Sequence, residues 1–128
     1  MTTEIHRKVL VADDDARCRK LMTTLLHADG YEVLCTESGA EALAAIAGDV
    51  PDIFLCDLMM PGMDGFEVVR RIKADPASEN INIVMVTALD DDASRARLAS
   101  AGVSHVLTKP VDRWKLKACL EELISEEW

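Results

Sequence analysis

Asp57 is a charged residue at the end of an apolar stretch, because it directly follows "PDIFLC" at positions 51–56. An ionised carboxylate in apolar surroundings is costly unless it has partners, binds a metal ion or has a chemical role. Side chains that could be its partners stand at the ends of other apolar runs. These are Asp13 and Asp14 after "KVLVA", Thr87 at the end of "NIVMVT", and Lys109 after "HVLT".

Brought together, these five side chains would form a site with three carboxylates, one hydroxyl and one ammonium. Three carboxylates at short distance repel one another, and a hard divalent cation such as Mg²⁺, which prefers oxygen ligands, relieves that repulsion. The same set suits transfer of a phosphoryl group to a carboxylate, with an ammonium and a hydroxyl binding the phosphoryl oxygens. Asp57 is then the nucleophile, assisted by Thr87 and Lys109.

Each of these residues also has an ordinary structural interpretation when it is considered alone. The acidic run "ADDDA" (12–16) is typical of a turn followed by a helix N-cap, and we assign the capping role to Asp15. A polar strand end, a β-branched strand residue and a surface charge would account for Asp57, Thr87 and Lys109. The interpretation as one site therefore depends on whether the fold brings these residues together.

Five apolar runs alternate with segments of helical periodicity, which predicts a (βα)5 chain. The predicted strands are 8–12, 32–36, 52–56, 82–87 and 105–108. Strict alternation, with strands apolar on both faces, favours a doubly wound α/β fold in which helices cover both sides of a five-stranded parallel sheet of order 2-1-3-4-5. Ligands bind such sheets at the carboxyl ends of the strands, beside the switch point between strands 1 and 3. All five polar residues lie at those ends.

Apolar spacing also predicts the buried faces and the bounds of the helices. We expect the first helix to bury Leu21, Leu25 and Leu26, and a fourth helix to run roughly over 91–101. Ser38 and Asp64 precede the second and third helical segments and are expected N-caps.

The composition limits the classes of function. The 128 residues are 49% hydrophobic, which suits one compact domain, and a net charge of -9 disfavours a nucleic-acid surface. No stretch is long and apolar enough for a signal peptide or a membrane helix, so we expect a cytoplasmic protein without membrane contact. Cys18, Cys35, Cys56 and Cys119 lack metal-ligand spacing and are expected to be reduced and structural.

Four motifs, in this order and spacing, resemble the receiver domain of two-component response regulators: "VLVADDD", "DIFLCDLMMPGMDG", "VMVTA" and "LTKP". The resemblance covers roughly residues 7–125, and we interpret 1–128 as a single receiver domain with a flavodoxin-like fold. It implies that Asp57 accepts a phosphoryl group from a histidine kinase or a phosphotransfer protein. It also implies that Thr87 and Lys109 bind the phosphoryl oxygens.

The resemblance implies a ligand set for Mg²⁺ as well. In the family's pattern, Asp14, Asp57 and the backbone carbonyl of Met59 bind the ion, and Asp13 helps through water. The Lys109–Pro110 bond is expected to be cis. The domain is expected to signal, catalysing only its own phosphorylation and dephosphorylation, rather than to act as an enzyme on other substrates.

One position departs from the family's pattern. The aromatic switch residue, usually three positions before the lysine, is Val106 here, and valine has few χ1 options and no ring to move. We therefore expect the response to run through Thr87 and the loop 88–92 to the fourth helix. Output to a protein, to an effector domain in a longer chain or to a second copy is expected on the face of helix 4, strand 5 and helix 5, including Arg95, Arg113, Trp114 and Lys117.

Three alternatives share parts of this pattern. A flavodoxin-like flavin binder needs a Ser/Thr/Gly-rich loop after the first strand, where three aspartates would repel the flavin phosphate. A phosphatase of the haloacid dehalogenase type needs a second Asp two residues after the nucleophile, where this chain has Met59. A phosphorylation-independent docking module, or adaptor, is the alternative that stays open, although the intact acceptor and metal residues argue against it.

Overall fold

The computed structural model describes residues 7–88, 91–103 and 105–125. Within these ranges five strands alternate with five helices, so the predicted (βα)5 order is confirmed. The strands are β1 (Lys8–Ala12), β2 (Glu32–Thr36), β3 (Ile53–Asp57), β4 (Asn82–Thr87) and β5 (His105–Thr108). The helices are α1 (Ala16–Ala28), α2 (Gly39–Gly48), α3 (Gly65–Ala74), α4 (Asp92–Ser100) and α5 (Arg113–Ser125).

The strands form one parallel sheet in the order β2-β1-β3-β4-β5, which is the doubly wound order predicted from the sequence. Successive side chains of a strand point to opposite faces, so each central strand contributes to two cores. One core lies under α2, α3 and α4 and includes Phe54 and Met85. The other lies under α1 and α5 and includes Leu55 and Val84. The two layers of helices hold the carboxyl ends of β1, β3 and β4 in fixed positions.

Side-chain caps fix the starts of three helices at the residues that the sequence indicated. Asp15 caps α1, Ser38 caps α2 and Asp64 caps α3, each through a side-chain oxygen that accepts a backbone N–H in the first turn. Each cap stands where the chain leaves the carboxyl end of a strand. The caps therefore fix the turns at the edge of the sheet that carries the candidate site.

β2 does not meet the expectation of strands covered on both faces. Val33 is half-buried, and Leu34 and Cys35 are exposed, Leu34 at 57%. The physical reason is the position of β2 at the edge of the sheet, where it has a neighbouring strand on one side only. Cys35 lies at the surface, with its sulfur 2.9 Å from Thr23 Oγ1. All four cysteines are free thiols, as expected.

Two predictions about α1 and β3 need smaller corrections. Leu26 is buried as predicted, and Leu25 is half-buried against the core under α1 and α5. Leu21 is 42% exposed, and Met22, the next residue, is buried in its place on the core-facing stripe. β3 runs from Ile53 to Asp57 rather than over 52–56. Asp57 is therefore the last residue of the strand and not the first residue after it, which fixes its backbone by ladder hydrogen bonds.

α4 spans Asp92–Ser100 and is slightly shorter than the predicted 91–101. Of the loop 88–92, to which a switching role was assigned, residues 89 and 90 lie outside the described residues. The ends of the predicted domain 1–128, at 1–6 and 126–128, lie outside them as well. Among the described helices, none has the length and apolarity needed to cross a membrane.

Candidate functional site

The carboxyl ends of four neighbouring strands place the predicted site residues along one edge of the sheet. Asp13 follows β1, Asp57 ends β3, Thr87 ends β4, and Lys109 follows β5. The register of the parallel strands brings these ends to a similar level, since Asp57 pairs with Val86, the residue before Thr87. The fold therefore brings the predicted site residues to one edge of the sheet, as the site hypothesis requires.

Asp13, Asp14 and Asp57 form an acidic cluster, in which one carboxylate oxygen of each residue lies within 4.8 Å of the other two. Asp13 and Asp57 are buried, at 0% and 6% exposure, whereas Asp14 is exposed. Lys109 Nζ donates a hydrogen bond to Asp57 Oδ2 at 3.2 Å and lies 3.0 Å from Asp13 Oδ2. One ammonium thus faces two buried carboxylates, and the cluster meets solvent on the Asp14 side.

The two buried carboxyl groups have pKa values shifted in opposite directions. Burial, followed by the negative charge of Asp13, raises the pKa of Asp57 to about 6 even though Lys109 opposes the shift. Burial also disfavours a charge on Asp13, but the hydrogen bond from the Asp15 N–H, followed by the nearby Cys18 thiol and Lys109 ammonium, lowers its pKa. Asp13 therefore ionises first, and Asp57 carries the charge that a proton or cation most readily neutralises.

The lysine has the complementary shift. Burial opposes the charge on Lys109, but the close Asp13 carboxylate and the negative charge of Asp57 raise its pKa. The ammonium is therefore retained across the neutral pH range. It is the fixed positive charge beside the carboxylate that the sequence analysis identified as a nucleophile.

Asp57 is positioned by the turn that follows β3 and by α3 packed behind it. The Met59 N–H donates to Asp57 Oδ1 at 3.2 Å, and the Gly65 N–H donates to the Leu58 carbonyl at 2.8 Å. A Cβ at Gly65 would lie 2.9 Å from Leu58 Cα and 3.1 Å from the Asp57 carbonyl oxygen. Only glycine lets the first turn of α3 approach this closely without a shift of the backbone.

Lys109 and Thr87 are joined through the main chain. The Lys109 N–H donates to the Thr87 carbonyl at 2.8 Å, which fixes the end of β5 against the end of β4. The Lys109–Pro110 bond is cis, so this prediction is confirmed. Thr87 is fully buried at the carboxyl end of β4. Both residues are thus held by β4 and β5, the two strands that follow β3 in the sheet.

Two residues beside the cluster were not identified from the sequence. The Cys18 thiol lies close enough to Asp13 that the Asp13 carboxylate, after burial, helps to raise the pKa of Cys18 to about 12. Arg19 Nη1 donates to the Asp13 carbonyl oxygen at 2.6 Å. One feature of the sequence could have identified these two residues. The N-cap at Asp15 places positions 18 and 19 in the first turn of α1, close to the loop that carries Asp13.

The acidic cluster fits a hard divalent cation such as Mg²⁺. Asp13 Oδ2 is buried and, among the described residues, receives no well-aligned hydrogen bond, although Lys109 Nζ is 3.0 Å away. The side-chain donors are all carboxylate oxygens, and the exposed Asp14 leaves room for the waters that Mg²⁺ retains. Met59, the fourth predicted ligand, lies two residues after Asp57 in the same turn.

Comparisons with known proteins identify the family. The family model described as the response regulator receiver domain matches residues 9–121. The chain belongs to this family. Response regulator PleD of Caulobacter vibrioides is 44% identical to this receiver domain over 116 residues, which are 91% of this chain and 26% of PleD. Protein PilH of Pseudomonas aeruginosa is 29% identical over 92% of this chain and 98% of PilH.

Solved structures of receiver proteins share the fold. Chemotaxis response regulator CheY4 of Vibrio cholerae has a TM-score of 0.88 at 28% identity, covering 93% of this chain and 99% of that chain. The Francisella response regulator 1452 receiver domain has a TM-score of 0.88 at 27% identity, covering 96% and 100%. This receiver domain therefore has the predicted flavodoxin-like fold. Receiver domains are signalling domains of two-component systems and not classical enzymes. The chain spans about a quarter of PleD.

The face of the receiver domain formed by α4, β5 and α5 has a pocket beside Val106. This pocket has a volume of about 160 Å³, and Val106 is half-buried against the core under α2, α3 and α4. Its lining comes from all three elements and from the turn after β5: Arg95, Val106, Leu107, Thr108, Pro110, Asp112 and Lys115. The valine therefore borders an open space on this face.

The start of α5 is rich in cations around an exposed tryptophan. Trp114 is 67% exposed, Arg113 Cζ lies 5.2 Å from the centroid of its ring, and Lys117 Nζ lies 5.8 Å from it. The chain as a whole has a net charge of -9, so this group of positive charges contrasts with the rest of the molecule. These residues were predicted to be at the surface, and a partner with negative charge would find complementary charge there.

Proposed function

We propose that this receiver domain accepts a phosphoryl group on Asp57 from the phosphohistidine of a histidine kinase or a phosphotransfer protein. The observation that carries the proposal is the position of Lys109 Nζ, 3.2 Å from Asp57 Oδ2 and 3.0 Å from Asp13 Oδ2. It pairs a buried nucleophile with a fixed ammonium at an acidic cluster that is open on the Asp14 side.

In the transfer, an Asp57 carboxylate oxygen forms a bond to phosphorus while the bond from phosphorus to the histidine nitrogen breaks. The imidazole leaves with the electron pair of that bond. Because the pKa of Asp57 is about 6, its carboxylate is ionised at neutral pH and is able to act as a nucleophile. Lys109 and the hydroxyl of Thr87 are proposed to bind phosphoryl oxygens, which places positive charge and a donor where negative charge collects.

We propose that Asp13, Asp14, Asp57 and the backbone carbonyl of Met59 form the Mg²⁺ site. When bound, the ion would supply positive charge that offsets the repulsion between the carboxylates and an incoming phosphoryl group. Asp13 keeps a buried negative charge in the site because its pKa is lowered. Its Oδ1 also accepts a hydrogen bond from the Asp15 N–H at 2.8 Å, which fixes its orientation.

The signal is proposed to leave through the face of α4, β5 and α5. Thr87 is linked to β5 through its carbonyl, which accepts the Lys109 N–H, so a shift at Thr87 reaches the strand that carries Val106. Valine has no ring to rotate, and the shift is therefore proposed to act on α4. The partner is proposed to be a cytoplasmic protein, an effector domain in a longer chain or a second copy, with no nucleic acid or membrane bound by this domain.

Incubation with acetyl phosphate and Mg²⁺, followed by intact mass measurement, tests the proposal. The wild type is expected to gain one phosphoryl group, and Asp57→Asn none, because the amide is not a nucleophile. Asp49→Asn is the matched control, since Asp49 is exposed and lies 2.7 Å from Lys8, which begins β1 at the end of the sheet opposite to the cluster. It should gain one phosphoryl group like the wild type, and EDTA should prevent uptake.

The outcomes separate the assignments. Equal uptake by Asp57→Asn would show that another residue is the acceptor. Uptake in EDTA at the wild-type rate would remove the metal from the proposal. A wild type that takes up nothing, from acetyl phosphate or from phosphohistidine donors, would favour the phosphorylation-independent docking module that the sequence left open.

A further inference from the structure

Arg19 of α1 connects two loops beside the acidic cluster. Its Nη1 donates to the Asp13 carbonyl oxygen at 2.6 Å, and its Nη2 lies 3.0 Å from Glu37 Oε1. The Arg19 side chain is only 16% exposed, whereas that of Glu37 is 65% exposed. One guanidinium therefore joins the loop after β1 to the loop after β2, with its inner contact at a residue of the cluster.

The inner contact is on the peptide group between the two acidic residues. The Asp13 carbonyl belongs to the planar unit that joins Asp13 to Asp14, so holding this oxygen restricts the rotation of that plane, on which the relative orientation of both residues depends. The Asp13 N–H donates to the Thr36 carbonyl at 3.1 Å, and Asp13 Oδ1 accepts from the Asp15 N–H at 2.8 Å. Arg19 adds a point of attachment at the carbonyl of Asp13, whereas the Thr36 contact is at its N–H.

A guanidinium suits this bridging role better than an ammonium. Its donors are held in a rigid plane, so two acceptors are bound at a fixed separation, and hydrogen bonds from a charged donor are stronger than neutral ones. Glu37 orients the outer end of Arg19. The inner end is then preorganised at the Asp13 carbonyl rather than free to rotate.

We infer that Arg19 is a positioning residue that holds the Asp13–Asp14 peptide in the orientation required for cation binding by the acidic cluster. This inference rests on the proposed function, because it concerns the Mg²⁺ site of that proposal. Arg19 does not contact the ion or the phosphoryl group in this role. It acts through the backbone of the residues that do.

Because Arg19 is positively charged, the direction in which Mg²⁺ affinity changes when the charge is removed distinguishes the possible roles of this residue. A cation near a metal site repels the metal, so a purely electrostatic role predicts tighter Mg²⁺ binding when the charge is removed. A positioning role predicts weaker binding, because the two carboxylates lose their fixed relative orientation. A purely structural role predicts lower stability of the fold with an unchanged dissociation constant for Mg²⁺.

Isothermal titration of the full chain with Mg²⁺ compares the wild type with Arg19→Met, which keeps much of the aliphatic stem and removes the guanidinium. The dissociation constant is expected to rise about tenfold, the lower end of the effect seen for groups that orient metal ligands. Arg17→Met is the matched control, because Arg17 is an exposed arginine on the same helix. It removes the same charge and should leave the constant unchanged or slightly lower.

Arg19→Lys is the second variant and keeps the charge. An ammonium lacks the planar fork that binds both acceptors, so this variant should also bind Mg²⁺ more weakly, by about threefold. Thermal unfolding shows whether each variant is folded. If Arg19→Met is not folded, the Mg²⁺ affinity of Arg19→Lys decides the test. Wild-type affinity in the folded Arg19 variants, or tighter binding by Arg19→Met, would overturn the positioning role while leaving the Mg²⁺ site intact. A wild type that does not bind Mg²⁺ would instead overturn the metal site and, with it, the inference.

Discussion

α3 and α4 follow neighbouring strands of the sheet, yet the packing that holds them differs. α3 buries four of its ten residues, and Asp64 caps its first turn by accepting the Glu67 N–H at 3.0 Å. α4 buries only Leu98 among its nine residues, all of which are described, and Asp91 makes no capping hydrogen bond through its side chain there. The difference follows from sequence, since the apolar residues of α4 are mostly alanines.

This difference assigns the two helices different roles. α3 begins directly behind Asp57, where the Gly65 backbone lies against Leu58, so it cannot move without moving the site. α4 is tied to α3 by Arg97, whose guanidinium carbon lies 3.7 Å from the centroid of the Phe66 ring. Elements with few buried apolar contacts are the ones that open or shift at low cost. The sparse packing of α4 therefore supports the proposal that α4 responds while α3 stays fixed with the site.

The largest expected effect concerns the close contact at the start of α3. Gly65→Ala should lower the free energy of unfolding by about 2 kcal/mol, because the new Cβ forces the backbone apart. Gly48→Ala is the control, since Gly48 ends α2 and a Cβ there meets nothing within 4 Å. Urea unfolding measures both. Equal stability of the two variants would mean that α3 is no more tightly held than an open helix end.

The next effect concerns charge at the fixed site. In EDTA, Asp57→Asn should raise the free energy of unfolding at pH 7 by about 2 kcal/mol, because the native pKa of about 6 lies above the ordinary 3.8. In this range the native state binds more protons than the unfolded state. The wild type should therefore lose stability as pH rises from about 4 to about 6, and the variant should lack this part of the slope.

The control for this charge effect lies in α4. Asp92→Asn removes an exposed carboxylate from the first turn of that helix. It should bring no comparable gain, since no buried carboxylate is relieved. If Asp57→Asn proves no more stable than the wild type at pH 7, repulsion at the cluster is absent, and the case for a cation there weakens with it.

The smallest expected change in the free energy of unfolding concerns the N-caps of α3 and α4. Asp64→Ala should cost about 1 kcal/mol, because the Glu67 N–H loses its acceptor. Asp91→Ala should change the free energy of unfolding by much less, since no capping hydrogen bond through this side chain is present among the described residues. Thermal or urea unfolding of the pair is sufficient. Losses of equal size would contradict the difference between α3 and α4.

The central parts of this structure were accessible from the sequence because they follow from local pattern and topology. Apolar runs predict the strands, and the order of a doubly wound sheet places Asp57 and Lys109 at one edge. Capping residues such as Asp64 are equally local, because one side chain and the next turn define them. For these features, sequence spacing alone sets the geometry.

The missed features depend on distant parts of the chain. The exposure of Leu34 follows from the edge position of β2, and an apolar run does not reveal that position. The contact of Arg19 with the Asp13 carbonyl depends on the conformation of the loop between β1 and α1. The opposite pKa shifts of Asp13 and Asp57 depend on burial and on a lysine far away in sequence.

Amide hydrogen exchange with and without beryllofluoride and Mg²⁺ tests the division between fixed site and responding helix most directly. Beryllofluoride imitates a phosphoryl group on an aspartate, so the wild type should change its exchange in α4 while exchange in α3 stays the same. Asp57→Asn should show no change in either helix. An unaltered α4 in the wild type, an equal change in α3, or the same α4 response in Asp57→Asn would contradict the assignment of Asp57 as the acceptor whose state α4 reports.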